Sequence, residues 1–408
     1  MTPLTQTTPV LRESARIKAE LLKVQAKIDA KAQAAEAELL TTVRRQLDYN
    51  ETPDPGSSKL VDTRVTGKTT VLTPKLLSAV LPVSKRSTQT TARSRKAIVN
   101  ILRHKDDRLL VIVGPCSIHN PKSALEYAGH ILKWRERYSG QLEIVMRAYI
   151  EKPRTELGWK GFIYDPMLDG SDDINLGLVA TRMLDCQITN LGVPIAIERL
   201  NALTPQYLNS LVAYDVIGAR NTTDQKSREY ASATSSPVGF KNTPEGSIKA
   251  AAEAIVAARG QHAFLGIGSN GISKQVNSSG NDTGHVILRG EAKGPNYSAD
   301  HIAKTKAILR EKGLEQSIVV DASHGNSGKR ASRQPAVIAD VSRQVAGGER
   351  AICGVMIESN LVAGNQKLGD PAKLVYGQSI TDECVGLPDT EAMLAKLADA
   401  VTQRRADD

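Results

Sequence analysis

From about residue 93 onward, short apolar runs alternate with amphipathic segments, and this alternation narrows the fold more than any other feature of the chain. The runs fall at 109–113, 144–150, 194–197, 216–219, 237–240, 263–267, 318–320 and 352–357. Stretches of helical period lie between most of them, at 122–138, 177–190, 205–213, 247–259, 299–312 and 334–345. Short apolar runs separated by helices read as βα units feeding a parallel sheet. Eight such units close a (β/α)8 TIM barrel. The stretch 278–289 reads as an added β-hairpin, which puts an insertion between strands 6 and 7. Upstream, residues 12–47 read as one amphipathic helix, with Leu21, Leu22, Ile28, Leu39 and Val43 near a 3.6-residue period. Residues 48–92 are rich in Pro, Thr, Ser and Lys and read as an extended connector with a short helix near 75–81. The expected division is an N-terminal helical arm and basic linker over 1–92 and a catalytic barrel over 93–408.

Reactive residues gather where these strands end. The first run leads into Gly114-Pro115-Cys116-Ser117, and the second carries Arg147 and continues to Glu151-Lys152-Pro153-Arg154-Thr155. The third ends in Glu198, the fourth in Arg220 and the fifth in Lys241. The seventh ends in Asp321-Ala322-Ser323-His324 and the eighth in Glu358-Ser359-Asn360. Barrel active sites occupy this carboxyl face. Arg147, Lys152, Arg154, Arg220, Lys241 and Arg289 would repel one another at one mouth unless anions entered it. Arginine forks match carboxylate and phosphate oxygens, and lysine adds a point charge. The pattern therefore predicts a substrate set with several negative charges; scattered surface ion pairs are the plainer reading of any one residue. Cys116, His324, Glu358 and Asp382 supply a thiol, an imidazole and two carboxylates, a donor set that suits Zn, Mn, Fe or Co. Their long spacing leaves a second reading open: a buried thiol, a core histidine and capping acids.

Charge and composition exclude other classes. The net charge is +9, and residues 51–105 hold eleven Lys/Arg against three acids. Aromatic residues make up 4% of the chain and none lies in that segment, so it lacks a stacking platform for nucleobases. We expect no nucleic-acid partner. No stretch nears the roughly 20 apolar residues that span a bilayer, so no membrane partner is expected. The opening residues show no basic start followed by an apolar core, and Glu13, Glu20 and Asp29 break up the early basic residues; neither a secretory nor a mitochondrial address is read there. Four cysteines without a CxxC pair predict a reducing, cytoplasmic setting.

The residues also resemble a known family. Gly114-Pro115-Cys116-Ser117-Ile118-His119, Arg147 with Glu151-Lys152-Pro153-Arg154-Thr155, Gly158-Trp159-Lys160-Gly161 and Thr204-Pro205-Gln206-Tyr207-Leu208 are similar to the class I microbial 3-deoxy-D-arabino-heptulosonate 7-phosphate (DAHP) synthases. So are Ile217-Gly218-Ala219-Arg220, Pro237-Val238-Gly239-Phe240-Lys241-Asn242, Ile287-Leu288-Arg289-Gly290, Gly354-Val355-Met356-Ile357-Glu358-Ser359 and Ser379-Ile380-Thr381-Asp382. The resemblance runs from about Ser94 to Ala400. It implies a metal-dependent transferase that condenses phosphoenolpyruvate with D-erythrose 4-phosphate and water, the first step toward chorismate and the aromatic amino acids. It implies Cys116, His324, Glu358 and Asp382 as metal ligands. Arg147, Lys152, Arg220, Lys241 and Arg289 would cradle phosphoenolpyruvate, with Glu198 close by, and Pro153, Arg154 and Thr155 would receive erythrose 4-phosphate. Lys152, Cys116, His324 and Glu198 are the expected catalytic set. A homodimer or homotetramer is expected, as is an aromatic amino acid effector bound on the outer side near Pro205-Gln206, residues 230–235 and Phe264-Leu265-Gly266. Several loops depart from the family pattern: Thr223 stands where a Glu is usual, Thr243-Pro244-Glu245 replaces Gly-Thr-Asp, and Gly268-Ser269-Asn270 lacks a usual lysine. These departures keep two further readings in view, a paralogue for another phosphorylated aldehyde and a non-catalytic regulatory subunit.

Overall fold

The computed structural model describes residues 50, 51 and 62–407. The helix expected over 12–47 lies outside the described residues. In the N-terminal unit, Asn50–Glu51 pairs antiparallel with Lys68–Thr69. Thr73–Asp408 forms a separate compact unit built on a closed eight-stranded parallel barrel.

The barrel strands are β1 Leu109–Gly114, β2 Leu142–Arg147, β3 Ile195–Arg199, β4 Val212–Ile217, β5 Val238–Lys241, β6 His285–Leu288, β7 Ile318–Asp321 and β8 Ile352–Glu358. Each pairs in parallel with its chain neighbours, and β8 closes onto β1 with Met356 opposite Ile112. Every residue of these strands is buried in the manner of a parallel sheet covered on both faces, Gly239 with the rest of β5. The barrel expected from the βα alternation is thus the observed one.

One strand assignment is corrected. Residues Ala263–Ile267 do not enter the barrel; they pair antiparallel with Ser273–Asn277 in a two-stranded arm. The sixth barrel strand is His285–Leu288, held between β5 and β7. The hairpin insertion therefore lies between strands 5 and 6, not between 6 and 7. A short apolar run looks the same in a barrel wall and in an arm. The true strand opens on a histidine whose polarity hid it, yet the His285 ring is buried and meets the Tyr214 hydroxyl at 2.7 Å.

The connector also ends earlier than expected. After α1 (Pro74–Val80), helix α2 spans Lys85–Leu102 and crosses the boundary expected at residue 93. Ser84 caps it by accepting a hydrogen bond from the Ser87 amide. Its buried face begins with Ser87, Thr91 and Ser94, so no apolar period announces it. Those hydroxyls donate to the Cys186 and Leu211 carbonyls and to Glu143. Ile98, Ile101 and Leu102 continue the face and join the barrel's interior cluster with Leu110, Val145 and Val319. Each such side chain stabilises the fold by roughly 1.5–3 kcal/mol through burial. The basic residues of α2 serve structure: Arg86 donates to the Leu191 carbonyl, and Arg95 donates to the carbonyls of Val212 and Asn209.

Outside the barrel wall run α3 (Pro121–Arg137), α4 (Ile174–Leu191), the single turn α5 (Pro205–Leu208), α6 (Gln225–Ala233), α7 (Ile248–Arg259), α8 (Ala299–Glu311), α9 (Gln334–Ala346) and α10 (Leu387–Asp407). The helix expected over 205–213 stops at Leu208 because Val212 already starts β4. Among the described residues no helix is long and apolar enough to cross a membrane.

The interior is layered by the two-residue pleat. Ile112, Val145, Ala196, Val216, Ile287, Val319 and Met356 belong to the apolar core. Gly239 leaves room for that core: a Cβ there would stand 2.4 Å from both Ile287 Cδ1 and the Tyr214 hydroxyl. Two residues further along their strands come Arg147, Glu198, Lys241, Arg289, Asp321 and Glu358. A period of two turns each of these toward the same barrel axis, one layer above the core.

Candidate active site and metal centre

The charged layer pairs across the barrel. Arg147 is 1% exposed; its Nη2 donates to Glu358 Oε1 at 3.0 Å and its Nε to the Pro115 carbonyl at 3.3 Å. Lys241 Nζ stands 3.7 Å from Glu198 Oε1 and 3.4 Å from Asp321 Oδ2. Burial pushes Glu198 toward protonation, but Lys241 and Lys152 outweigh it and hold the carboxyl below its ordinary range. Asp321 is likewise driven up by burial and pulled well below the usual range by His324 and Lys241.

Three of the four expected donors meet at one edge of this layer, and His324 approaches them through Glu358. Cys116 Sγ and one carboxylate oxygen each of Glu358 and Asp382 lie within 4.8 Å of one another. His324 Nε2 stands 3.8 Å from Glu358 Oε1. The other ring nitrogen, Nδ1, faces Asp321 Oδ2 at 2.9 Å and Ser323 Oγ at 2.7 Å. That arrangement fixes the ring and turns Nε2 toward the carboxylates, as metal-site histidines require. His324 adopts a φ of 54°, a left-handed conformation uncommon outside glycine and often found at functional positions. Lys152 Nζ donates to Cys116 Sγ at 2.7 Å and to Asp382 Oδ2 at 3.1 Å. Burial and the Glu358 charge push the Cys116 thiol up to about 12. Burial also works against the Lys152 ammonium, but Cys116, Asp382 and Glu358 outweigh it and raise its pKa. A thiol, an imidazole and two carboxylates around a point already attractive to a cation fit a divalent transition metal.

Lys152, Glu198, Lys241, His324 and Asp382 open onto a cavity of about 790 Å³ at the carboxyl mouth. Pro153, Arg154 and Thr155 line it with Arg220, whose Nη2 donates to Thr155 Oγ1 at 2.7 Å. Arg289 enters from β6. Cys116, Arg147 and Glu358 sit behind this wall, all at most 2% exposed. The structure thus brings all the expected site residues to one end of the barrel, with strand six, through Arg289, contributing like the rest.

A model of the DAHP synthetase I family matches residues 82–395. Over 344 residues the chain is 50% identical to the Phe-sensitive phospho-2-dehydro-3-deoxyheptonate aldolase of Escherichia coli K12, covering 84% of this chain and 98% of that one. It is 48% identical over 334 residues to the Trp-sensitive phospho-2-dehydro-3-deoxyheptonate aldolase of Enterobacter agglomerans, covering 82% and 96%. A solved phospho-2-dehydro-3-deoxyheptonate aldolase from Francisella tularensis SCHU S4 superposes with a TM-score of 0.82 at 44% identity, covering 84% of this chain and 99% of that one. The chain belongs to the DAHP synthetase I family.

Within this DAHP synthetase I chain, several residues that shape the site were given no role from the sequence, although Asn242 and Gly290 lie in the matching motifs. Asn242, Asn296 and Asn326 form a buried net beneath the loops that follow β5, β6 and β7. Asn242 Oδ1 accepts from the Arg289 amide, Asn296 Oδ1 from the Gly290 amide, and Asn326 Oδ1 from the Asn296 amide. Gly290, at φ 78°, lies so close to the next loop that a Cβ would stand 2.3 Å from the Asn326 nitrogen. Lys293 and Lys329 add two more cations to the cavity lining. On the outer side, Pro205, Tyr230 and Thr234 border one small recess next to Arg199, and the Tyr230 ring meets Phe264 edge to face at 5.3 Å.

Proposed function

We propose that the chain is a DAHP synthase, condensing phosphoenolpyruvate with D-erythrose 4-phosphate and water to give 3-deoxy-D-arabino-heptulosonate 7-phosphate and inorganic phosphate. The observation that carries the reading is the juxtaposition of Cys116, Glu358, Asp382 and His324 with the cationic cavity.

Those four residues would hold a divalent ion of the Mn, Fe, Co or Zn type, which polarises a carbonyl oxygen. Arg147, Arg220, Lys241 and Arg289 bind the phosphate and carboxylate of phosphoenolpyruvate, so that its methylene carbon faces the aldehyde. Arg154 and Thr155 receive the phosphate of the second substrate. The C3–C1 bond forms as the aldehyde oxygen gains negative charge, and the Lys152 ammonium, 11% exposed, is positioned to neutralise and protonate it. The positive charge left at C2 is met by water; one of its protons restores Lys152 and the other leaves with the phosphate, whose C–O bond to C2 breaks to give the ketone. Glu198, anionic and a weak base for that reason, stabilises the C2 cation and orients the water rather than removing its proton outright.

The test is metal content and phosphate release measured together for wild type and Cys116→Ala, with erythrose 4-phosphate and other phosphorylated aldoses as alternative acceptors. The variant is expected to lose bound metal and turnover in parallel. Turnover by the metal-free variant would defeat the metal assignment, and preference for another aldose would reassign the acceptor. Intact donors weigh against a non-catalytic subunit. We further propose a cytoplasmic homodimer or homotetramer, and an aromatic amino acid effector at the Pro205–Tyr230–Phe264 side, since relatives are named Phe- and Trp-sensitive.

A further inference from the structure

Beneath the charged layer lies a side chain the proposed chemistry does not use. Tyr149 lies two residues beyond Arg147, just past the end of β2, and its side chain packs among the interior residues. Its ring is 2% exposed and belongs to the interior apolar cluster with Ile112, Val216 and Met356. Among the described residues its hydroxyl makes only a long contact of 3.7 Å to Met356 Sδ. The Arg147 guanidinium lies over the ring face, its central carbon 3.9 Å from the ring centroid. Of the guanidinium nitrogens, Nε and Nη2 are taken by Pro115 and Glu358, while buried Nη1 has no partner among the described residues.

A guanidinium held at two edges can still rock about the line joining its contacts. An aromatic face beneath it removes that freedom, because cation–π attraction and stacking both favour one plane. Away from water the attraction is at its strongest. An aliphatic side chain of similar volume would fill the space but leave the plane unset.

We propose that Tyr149 is a positioning residue for phosphoenolpyruvate: its π-face sets the plane of Arg147 so that the unpartnered Nη1 meets an anionic oxygen of that substrate. The inference rests on the reading of the cavity as a phosphoenolpyruvate site. It assigns the ring, and not the hydroxyl, as the functional part of Tyr149.

The experiment is calorimetric titration of phosphoenolpyruvate into the metal-loaded full chain, with KM for both substrates and bound metal measured alongside. Tyr149→Met is expected to weaken phosphoenolpyruvate binding by roughly tenfold. Its KM for erythrose 4-phosphate and its metal content should stay within about twofold of wild type. Tyr149→Phe is expected to restore phosphoenolpyruvate affinity. Should the Met variant fail to fold, a fluorinated phenylalanine series at the same position decides the matter, since fluorination drains the π-face with little change in size. Affinity should fall stepwise along that series. A flat series, a Phe variant as weak as Met, or equal losses for both substrates and metal would each overturn the proposal. Absence of phosphoenolpyruvate binding in the wild type would instead strike the functional reading itself.

Discussion

Replacing Asp185 by asparagine should change how the stability of this barrel depends on pH. Asp185 lies on α4, fully buried, and neither carboxylate oxygen finds a hydrogen-bond partner among the described residues. Arg182 and Arg199 are the nearby cations, but both are committed. Arg182 donates to the carbonyls of Leu81 and Tyr207, and Arg199 pairs with Asp215 and Asn209. Burial therefore prevails over the two arginines and lifts the Asp185 carboxyl to about 8. Its folded pKa stands above that of the unfolded chain, about 3.9. The stability tied to the protonated carboxyl is fully present below about pH 4 and is lost progressively as pH rises toward 8. At about 1.4 kcal/mol per pH unit, the full span amounts to on the order of 6 kcal/mol. Asp185→Asn has the same shape and no charge at any pH. Its buried amide loses about 1–3 kcal/mol to unsatisfied hydrogen bonding. The variant should be about 3–5 kcal/mol more stable than wild type near pH 8, and about 1–3 kcal/mol less stable near pH 4. Urea midpoints measured at fixed metal loading between about pH 5 and pH 8 report the difference. Parallel stability curves for the two proteins would refute the reasoning.

Two further outcomes follow from close contacts. Gly239→Ala should destabilise the fold by about 1–3 kcal/mol, because the new methyl meets Ile287 and Tyr214 inside the barrel; urea denaturation measures it. Asn296→Ala strands the Gly290 amide and loosens the loop that carries Arg289. It should cost about 1–3 kcal/mol and raise KM for phosphoenolpyruvate more than KM for the aldehyde, as steady-state kinetics with each substrate varied in turn will show.

Much of the fold was legible because parallel strands and their covering helices carry local signatures. β1, β2, β7 and β8 are apolar runs bounded by turns, and each appears within a few residues of its expected place. Most of the cationic and metal-donor residues were legible for a related reason, since they follow a recognisable strand; Arg289 follows the strand that was missed, and Asp382 lies in a loop well beyond Glu358. Failures arose where local pattern and tertiary role part company. The run Ala263–Ile267 is apolar yet stands outside the barrel, while His285 is polar yet opens a wall strand. α2 buries serines and threonines whose hydroxyls are satisfied by distant carbonyls, so no hydrophobic period marks its first half.

Sequence alone determined the βα alternation, the surplus of cations after the strands and the chemical kinds of donor available for a metal. Those follow from side-chain period and residue type, which are local. Only the closed barrel decided that Cys116 should meet Asp382, 266 residues away, and that Glu358 should meet Arg147 across 211. Closure joins β8 to β1 and stacks inward side chains in common layers, and neither effect has a counterpart in a linear stretch of chain. Tertiary packing likewise left the Asp185 carboxylate without a hydrogen-bond partner among the described residues, because a buried helical side chain depends on what other elements supply.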